Sequence, residues 1–94
     1  MSEIWVTLAV DQVEQSVIVV GFAQTKKECK EHRSRVDTPY IKSFRLFEKG
    51  PLGNLMCDWF QKCGIPLLEA HEAVRGIGKE LADIWNIPIE QGMN

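Results

Sequence analysis

The sequence lacks the features that mark membrane proteins and disulfide-rich secreted proteins. It contains no run of about 18 apolar residues, the length that a membrane-spanning helix needs. The segment from Met1 to Trp5 lacks the basic-then-apolar order of a signal peptide. Three cysteines, an odd number, favour reduced thiols over a disulfide framework. We therefore predict a cytoplasmic protein that makes no contact with membranes.

No nucleotide-binding motif is complete, although Gly76-Ile77-Gly78-Lys79 partly resembles a phosphate-binding loop. Such a loop needs a glycine where Ala73 stands and a serine or threonine where Glu80 stands. A dinucleotide-binding loop needs a further glycine where Leu81 stands, and a strand in front of the first glycine. We predict no cofactor, and we interpret the two glycines as positions where another helix or the sheet packs closely.

Metal-binding and catalytic side chains are also too few. Cys29 and His32 are three residues apart on a predicted helix, so both can face one metal ion. A tetrahedral site needs two further ligands, and helical geometry lets only one of Cys57 and Cys63 join them. No Asp or Asn is placed to orient His32 as a catalytic base, and His71 reads as a structural or surface residue. We predict no metal site, no catalytic residue and no enzymatic activity.

The first half of the chain predicts three strands and one helix. Residues 4–10 alternate apolar and less apolar side chains, which indicates a strand with one strongly apolar face. Residues 16–23 predict a second strand, and its run of four apolar residues predicts burial on both faces. A capping box, Thr25 to Glu28, opens a helix that reaches about Ser34, and residues 40–48 form the third strand.

The second half predicts a helical hairpin. Asn54 is a suitable N-cap for a helix over residues 55–63, and Gly64 suits the position after its end. Pro66 suits the first position of a long continuous helix over residues 67–85. That helix carries an apolar stripe at alternating steps of three and four. The stripe consists of Leu67, Ala70, Val74, Ile77, Leu81 and Ile84.

These elements predict one α+β domain over residues 1–94. Residues 1–49 form a β-β-α-β unit, residues 54–86 the helical hairpin and residues 87–94 a tail. A hairpin followed by a right-handed crossover predicts a three-stranded sheet in the order 2-1-3. The layout of the first half resembles small β-β-α-β proteins of bacterial and phage genomes, many without assigned function. That likeness concerns element order and implies no functional residues.

Charge is unevenly distributed. The net charge is −2, yet residues 26–49 hold eight basic against four acidic residues, while the segments before and after are acidic. A basic segment favours electrostatic, non-specific contact with nucleic acid, although acidic residues interrupt it and the whole chain is acidic. The candidate contacts are Lys26, Lys27, Lys30, Arg33 and Arg35.

Our leading hypothesis is a non-catalytic module that self-associates and binds a protein or a ligand. A strand buried on both faces and a long apolar stripe exceed what three short strands can cover, which favours a two-fold homodimer through the last helix. The predicted interface consists of Val74, Ile77, Gly78, Leu81 and Trp85. Nucleic-acid binding is one alternative. Another is a small-molecule pocket between the sheet and the helical hairpin, lined by Trp59, Phe60 and Trp85.

Overall fold

A computed structural model describes residues 4–45 and 52–85, with side chains as far as Asp83. The chain consists of two compact units, Met1–Leu46 and Phe47–Asn94. Among the described residues, no helix is long and apolar enough to cross a membrane. The predicted α+β class, a three-stranded sheet followed by two helices, is confirmed. The elements are β1 Trp5–Asp11, β2 Ser16–Ala23, α1 Lys26–Ser34, β3 Ile41–Arg45, α2 Leu52–Lys62 and α3 Leu67–Trp85.

The sheet of the first unit is antiparallel throughout, and β1 lies between β2 and β3. This confirms the predicted order 2-1-3. Thr7 pairs with Gly21 on one side and with Ser43 on the other, so these three residues share one sheet face. Residues 6–10 of β1 are all buried. The predicted third strand continued to Glu48, whose position lies outside the described residues.

Strand β2 is not buried on both faces, which corrects our prediction. Ile18 is 44% exposed, and Val17 and Val19 are only half-buried. Since β1 takes the central position, β2 becomes an edge strand and meets a neighbour on one side only. A β-bulge at Val20, which has no partner between the pairs Thr7–Gly21 and Leu8–Val19, further bends this edge. The apolar run therefore stays partly exposed in the single chain.

Helix α1 has the predicted bounds and packs against all three strands of its unit. Its N-cap is Thr25, whose hydroxyl oxygen accepts from the Glu28 amide at 3.2 Å. The Thr25 hydroxyl also lies 3.3 Å from the Glu28 carboxylate, to which it donates. Cys29 is buried, and the ring of His32 lies directly against Gly21 of β2. A Cβ at Gly21 would stand 2.7 Å from that ring, so a glycine is needed there for the close approach.

Helix α2 starts earlier than the sequence indicates, and Pro66 has a different role at the start of α3. Helix α2 begins at Leu52, three residues early, so Asn54 lies within the helix and is not its N-cap. Helix α3 begins at Leu67, and the Pro66 carbonyl accepts from the Ala70 amide at 2.8 Å. Pro66 thus occupies the cap and not the first helical position, because its carbonyl already closes the first helical turn.

Helix α2 ends in a Schellman motif, as the predicted role of Gly64 requires. Gly64 has φ 95°, and its amide donates to the Gln61 carbonyl at 3.0 Å. The Ile65 amide reaches back to the Phe60 carbonyl at 2.9 Å. Both Phe60 and Ile65 are buried, at the two positions that usually make an apolar contact in this motif.

Helix α3 is continuous across both glycines, as predicted. Ala70, Ile77 and Leu81 of the predicted stripe are buried, whereas Leu67 is exposed. The close-packing interpretation fails at Gly76, because no atom of the described residues, apart from its two neighbours and the nearby helix backbone, lies within 4 Å of where a Cβ would stand. Among the described residues, this glycine therefore has no packing role.

We expect Gly76→Ala to raise the free energy of unfolding by about 0.5–1 kcal/mol, because alanine loses less backbone entropy in a helix. The matched control is Gly64→Ala, which should lower it by about 1 kcal/mol or more, because φ 95° is costly for a side chain. Urea unfolding measures both changes. A destabilising Gly76→Ala that depends on protein concentration would contradict the expectation and place a second copy against this glycine.

Candidate functional site

The first unit contains an open groove of about 380 Å³ at one end of its sheet. Three chain segments line it: the end of β1 with the turn that follows, residues 9–13; Ile18 of β2; and the connection from α1 to β3, residues 36–40. This volume falls within the range of small-ligand sites. The antiparallel pairing explains the location, because β3 starts beside the place where β1 ends.

Exposed apolar side chains concentrate at this groove. Val13 is 91% exposed, Ile18 44% and Tyr40 36%. These are all the large apolar side chains that the described part of the first unit exposes, and all of them line the groove. Apolar residues exposed singly are ordinary on protein surfaces, whereas a cluster in a concave site indicates binding.

Hydrogen bonds hold both loops of the groove in place. One oxygen of Asp11, Oδ1, accepts from the amides of Val13 at 3.0 Å and Glu14 at 3.2 Å. On the other side, the Tyr40 amide donates to the Thr38 hydroxyl at 3.2 Å. The Tyr40 carbonyl accepts from the Val10 amide at 2.9 Å, which extends the pairing of β1 and β3. The groove is therefore built from short anchored loops, which lowers the entropy that binding must remove.

Helix α1 separates the charges that alternate in its sequence. Lys26, Lys30 and Arg33 follow one another at steps of four and three, which places them within about 60° around the helix axis. Glu28 and Glu31 lie about 140–160° from the middle of that row. All five side chains are exposed. The helix thus presents a row of cations, which we call the basic row, although the linear sequence interrupts it with acids.

The remaining predicted nucleic-acid contacts lie near this row. Lys27 is exposed on α1, and Arg35 is the exposed C-cap residue, whose amide donates to the His32 carbonyl at 3.2 Å. The structure therefore leaves all five predicted contacts open to solvent, and it brings three of them into one row.

Cys29 lies in a polar cluster between α1 and the sheet. Its thiol lies within hydrogen-bonding reach of the hydroxyls of Ser43 and Thr7, which are 2.8 Å from each other. Burial raises the pKa of the Cys29 thiol, and the neighbouring hydroxyls only partly oppose that rise. Nearby, Nδ1 of His32 is buried without a hydrogen-bond partner among the described residues. A thiol that stays protonated is a poor nucleophile and a poor metal ligand.

A second cysteine meets a histidine within the helical hairpin, which the sequence analysis missed. Sγ of Cys57 lies 4.0 Å from Nδ1 of His71, and the side-chain nitrogen Nε2 of Gln61 lies 3.7 Å from the same sulfur. The two residues are 14 positions apart on different helices, so no spacing rule relates them. Among the described residues, no group of three His, Cys, Asp or Glu side chains is arranged to hold a metal ion.

The residues predicted for a dimer interface lie largely inside the single chain. Ile77 is 2% exposed and Leu81 1%, Gly78 is buried and Val74 half-buried. The side chain of Trp85 lies outside the described part. The dimer interface stays a prediction. The predicted interface residues expose less apolar surface to a second copy than the sequence of the stripe indicated.

The predicted aromatic pocket also stays a prediction. Phe60 is fully buried, and its ring centroid lies 5.6 Å from that of Trp59 in a tilted arrangement. The third member, Trp85, has no described side chain. Neither Trp59 nor Phe60 is among the described residues that line the groove of the first unit.

Comparisons with protein-family models, with curated proteins and with solved structures find no match to this chain. The site must therefore be interpreted from its own geometry.

We expect the raised pKa of Cys29 to appear as a loss of stability at alkaline pH. As pH rises through the ordinary thiol range, at about pH 8–9, the unfolded chain releases the Cys29 proton while the folded chain still holds it. Folding is then disfavoured, and the loss grows until the folded thiol also ionises. Cys29→Ala should lose less stability than the parent chain between about pH 8 and pH 10, as measured by urea unfolding.

Alkylation provides an independent check of the same property. Iodoacetamide at about pH 8 should modify Cys29 much more slowly in the folded chain than in urea, by peptide mass spectrometry. Fast native labelling of Cys29, or parallel stability curves for the variant and the parent, would show that the thiol is not held protonated.

Proposed function

We propose that the protein is a non-catalytic ligand-binding module whose site is the groove of the first unit. The observation that carries this proposal is the coincidence of a 380 Å³ groove with the exposed apolar side chains Val13, Ile18 and Tyr40. Exposing apolar surface to water costs about 25 cal/mol for each Å². A ligand that covers this surface recovers part of that cost.

The chemistry of the lining supports binding over catalysis. Among the described lining residues there is no cysteine, serine or histidine, the commonest nucleophiles and bases, and the titratable side chains there are Asp11, Asp37 and Tyr40. Cys29, the thiol that the sequence singled out, lies in a different place and is favoured in its protonated form. Three free cysteines favour a reducing compartment, so we propose the cytoplasm as the setting.

A titration with 2-phenylethanol, a small uncharged compound with an apolar body, tests the proposal. In amide-resolved NMR spectra of the full chain, we expect shifts confined to residues 9–13, 18 and 36–40. Tyr40→Ala should weaken binding about threefold to tenfold, because an aromatic contact of this size is lost.

The matched control is Leu68→Ser, which truncates an exposed apolar residue of the second unit. It should leave the affinity unchanged. If the compound shifts no groove residue, or if both variants weaken binding equally, the groove is not the binding site.

A second candidate function is electrostatic binding of nucleic acid through the basic row. The observation that favours it is the separation of charge on α1, where Lys26, Lys30 and Arg33 lie together and away from Glu28 and Glu31. Three phosphate contacts would give affinity that falls with salt, with a slope of about −2 to −3 in a log–log plot for duplex DNA. The acidic net charge limits this binding to low ionic strength.

We expect the triple change Lys26→Glu, Lys30→Glu, Arg33→Glu to abolish a gel shift of duplex DNA at low salt. The matched control, Lys62→Glu with Lys79→Glu, alters exposed cations of the second unit and should retain most of the binding. The control changes the net charge by four units and the triple variant by six. Variants with two changes in the row alter the net charge by four units, as the control does, and are therefore compared with it directly. Equal loss in Lys26→Glu with Lys30→Glu and in the control would mean that net charge alone governs binding.

A further inference from the structure

We propose that the groove of the first unit selects a small organic cation, an amine or guanidine attached to an apolar body. This inference rests on the proposed ligand-binding function and adds the chemical class of the ligand. It follows from the charge of the lining, the anchoring of one carboxylate, the position of the aromatic ring and the pairing of the groove floor.

The charge of the lining has one sign. Of the eleven described residues that line the groove, two are charged, and these are Asp11 and Asp37. They lie in different segments, Asp11 at the end of β1 and Asp37 in the connection from α1 to β3. No lysine or arginine is among these described lining residues, although the same unit carries the basic row on α1. Charge complementarity therefore favours a cation in the groove and disfavours an anion.

Asp11 is held in place by its own turn. Its Oδ1 accepts from the amides of Val13 and Glu14, which restrains the carboxylate. The negative charge is delocalised over both oxygens, so a ligand cation can approach Oδ2 without breaking the turn. A carboxylate that is already restrained loses less rotational freedom when it pairs with a ligand.

Tyr40 supplies a surface that suits the same ligand. The residue is 36% exposed and lies in the segment that contains Asp37. The face of an aromatic ring attracts ammonium and guanidinium groups and also covers apolar carbon. Together with Val13 and Ile18, the ring provides an apolar contact for the body of the ligand while the two carboxylates meet its charge.

The floor of the groove favours a small molecule over an extended peptide. Ala9 is paired with Ile18 on one side and Ile41 on the other. Val10 is paired with Val17, and its amide donates to the Tyr40 carbonyl. A peptide that binds by strand addition needs free backbone groups, and this floor already uses its own within the sheet. Recognition at Ala9 and Val10 therefore comes from side chains, which a compact ligand can satisfy within 380 Å³.

The test compares three probes of the same shape and different charge on the full chain. They are 2-phenylethylammonium, 2-phenylethanol and phenylacetate, each titrated by NMR at low salt. We expect the ammonium to bind the groove about fivefold to tenfold more tightly than the alcohol, and phenylacetate to bind more weakly than the alcohol. Raising the salt to about 0.5 M should reduce the preference for the ammonium, because screening weakens exposed ion pairs.

Two near-isosteric variants locate the effect. Asp11→Asn keeps a carbonyl oxygen for the turn, and Asp37→Asn removes the other charge. Each should weaken binding of the ammonium about twofold to fivefold and affect binding of the alcohol much less, because the alcohol carries no charge. The matched control, Asp83→Asn, removes an exposed carboxylate of the second unit and should change neither. The NMR spectra also show whether each variant is folded. If one of the two Asn variants is unfolded, the other one tests the inference.

Each outcome has a defined meaning. Equal binding of ammonium and alcohol in the groove overturns the inference and leaves the proposed function standing. No shift in the groove with any probe overturns both. Binding of the ammonium to acidic residues elsewhere, or tighter binding of a lysine-containing peptide than of the small cation, also overturns the inference. A preference for the ammonium that both Asn variants reduce supports it.

Discussion

Pairing of β1 on both of its edges is the constraint on which the first unit depends. Thr7, Leu8 and Ala9 each have a partner in β2 and a partner in β3. This central position uses the backbone groups of β1 within the sheet and makes β2 and β3 its edges. It also determines where the loops lie, since the turn after β1 and the segment before β3 meet at one end. The groove is a consequence of that pairing.

The face beneath α1 shows how the helix can approach the sheet. Thr7, Gly21 and Ser43 form one row across the three strands, and each has a small side chain or none. The two hydroxyls satisfy each other at 2.8 Å, which avoids the cost of about 1–3 kcal/mol for a buried unpaired polar group. Cys29 and the His32 ring fill the remaining space. With its inner side so occupied, α1 presents its charged residues outward, where the basic row and the acidic side are separate.

Part of the candidate chemistry could be predicted from the sequence, and part could not. The exposed cations of α1 follow from helical periodicity, because steps of three and four place residues on one side of a helix. The groove does not follow from any local pattern, since Asp11, Ile18 and Tyr40 belong to three segments that only the sheet brings together. The approach of Cys57 to His71 likewise depends on how two helices face each other within their unit.

The sequence by itself determined the elements and their order. The bounds of α1, the continuity of α3 and the left-handed Gly64 depend on residues within a few positions of one another, so local rules suffice. Only the tertiary structure decided which apolar segments become buried. The run of valines and isoleucine in β2 has the composition of a fully buried strand, yet it is partly exposed, while β1 is buried on both faces. Burial depends on which surfaces meet across long sequence distances, and a strand's own residues do not encode its neighbours.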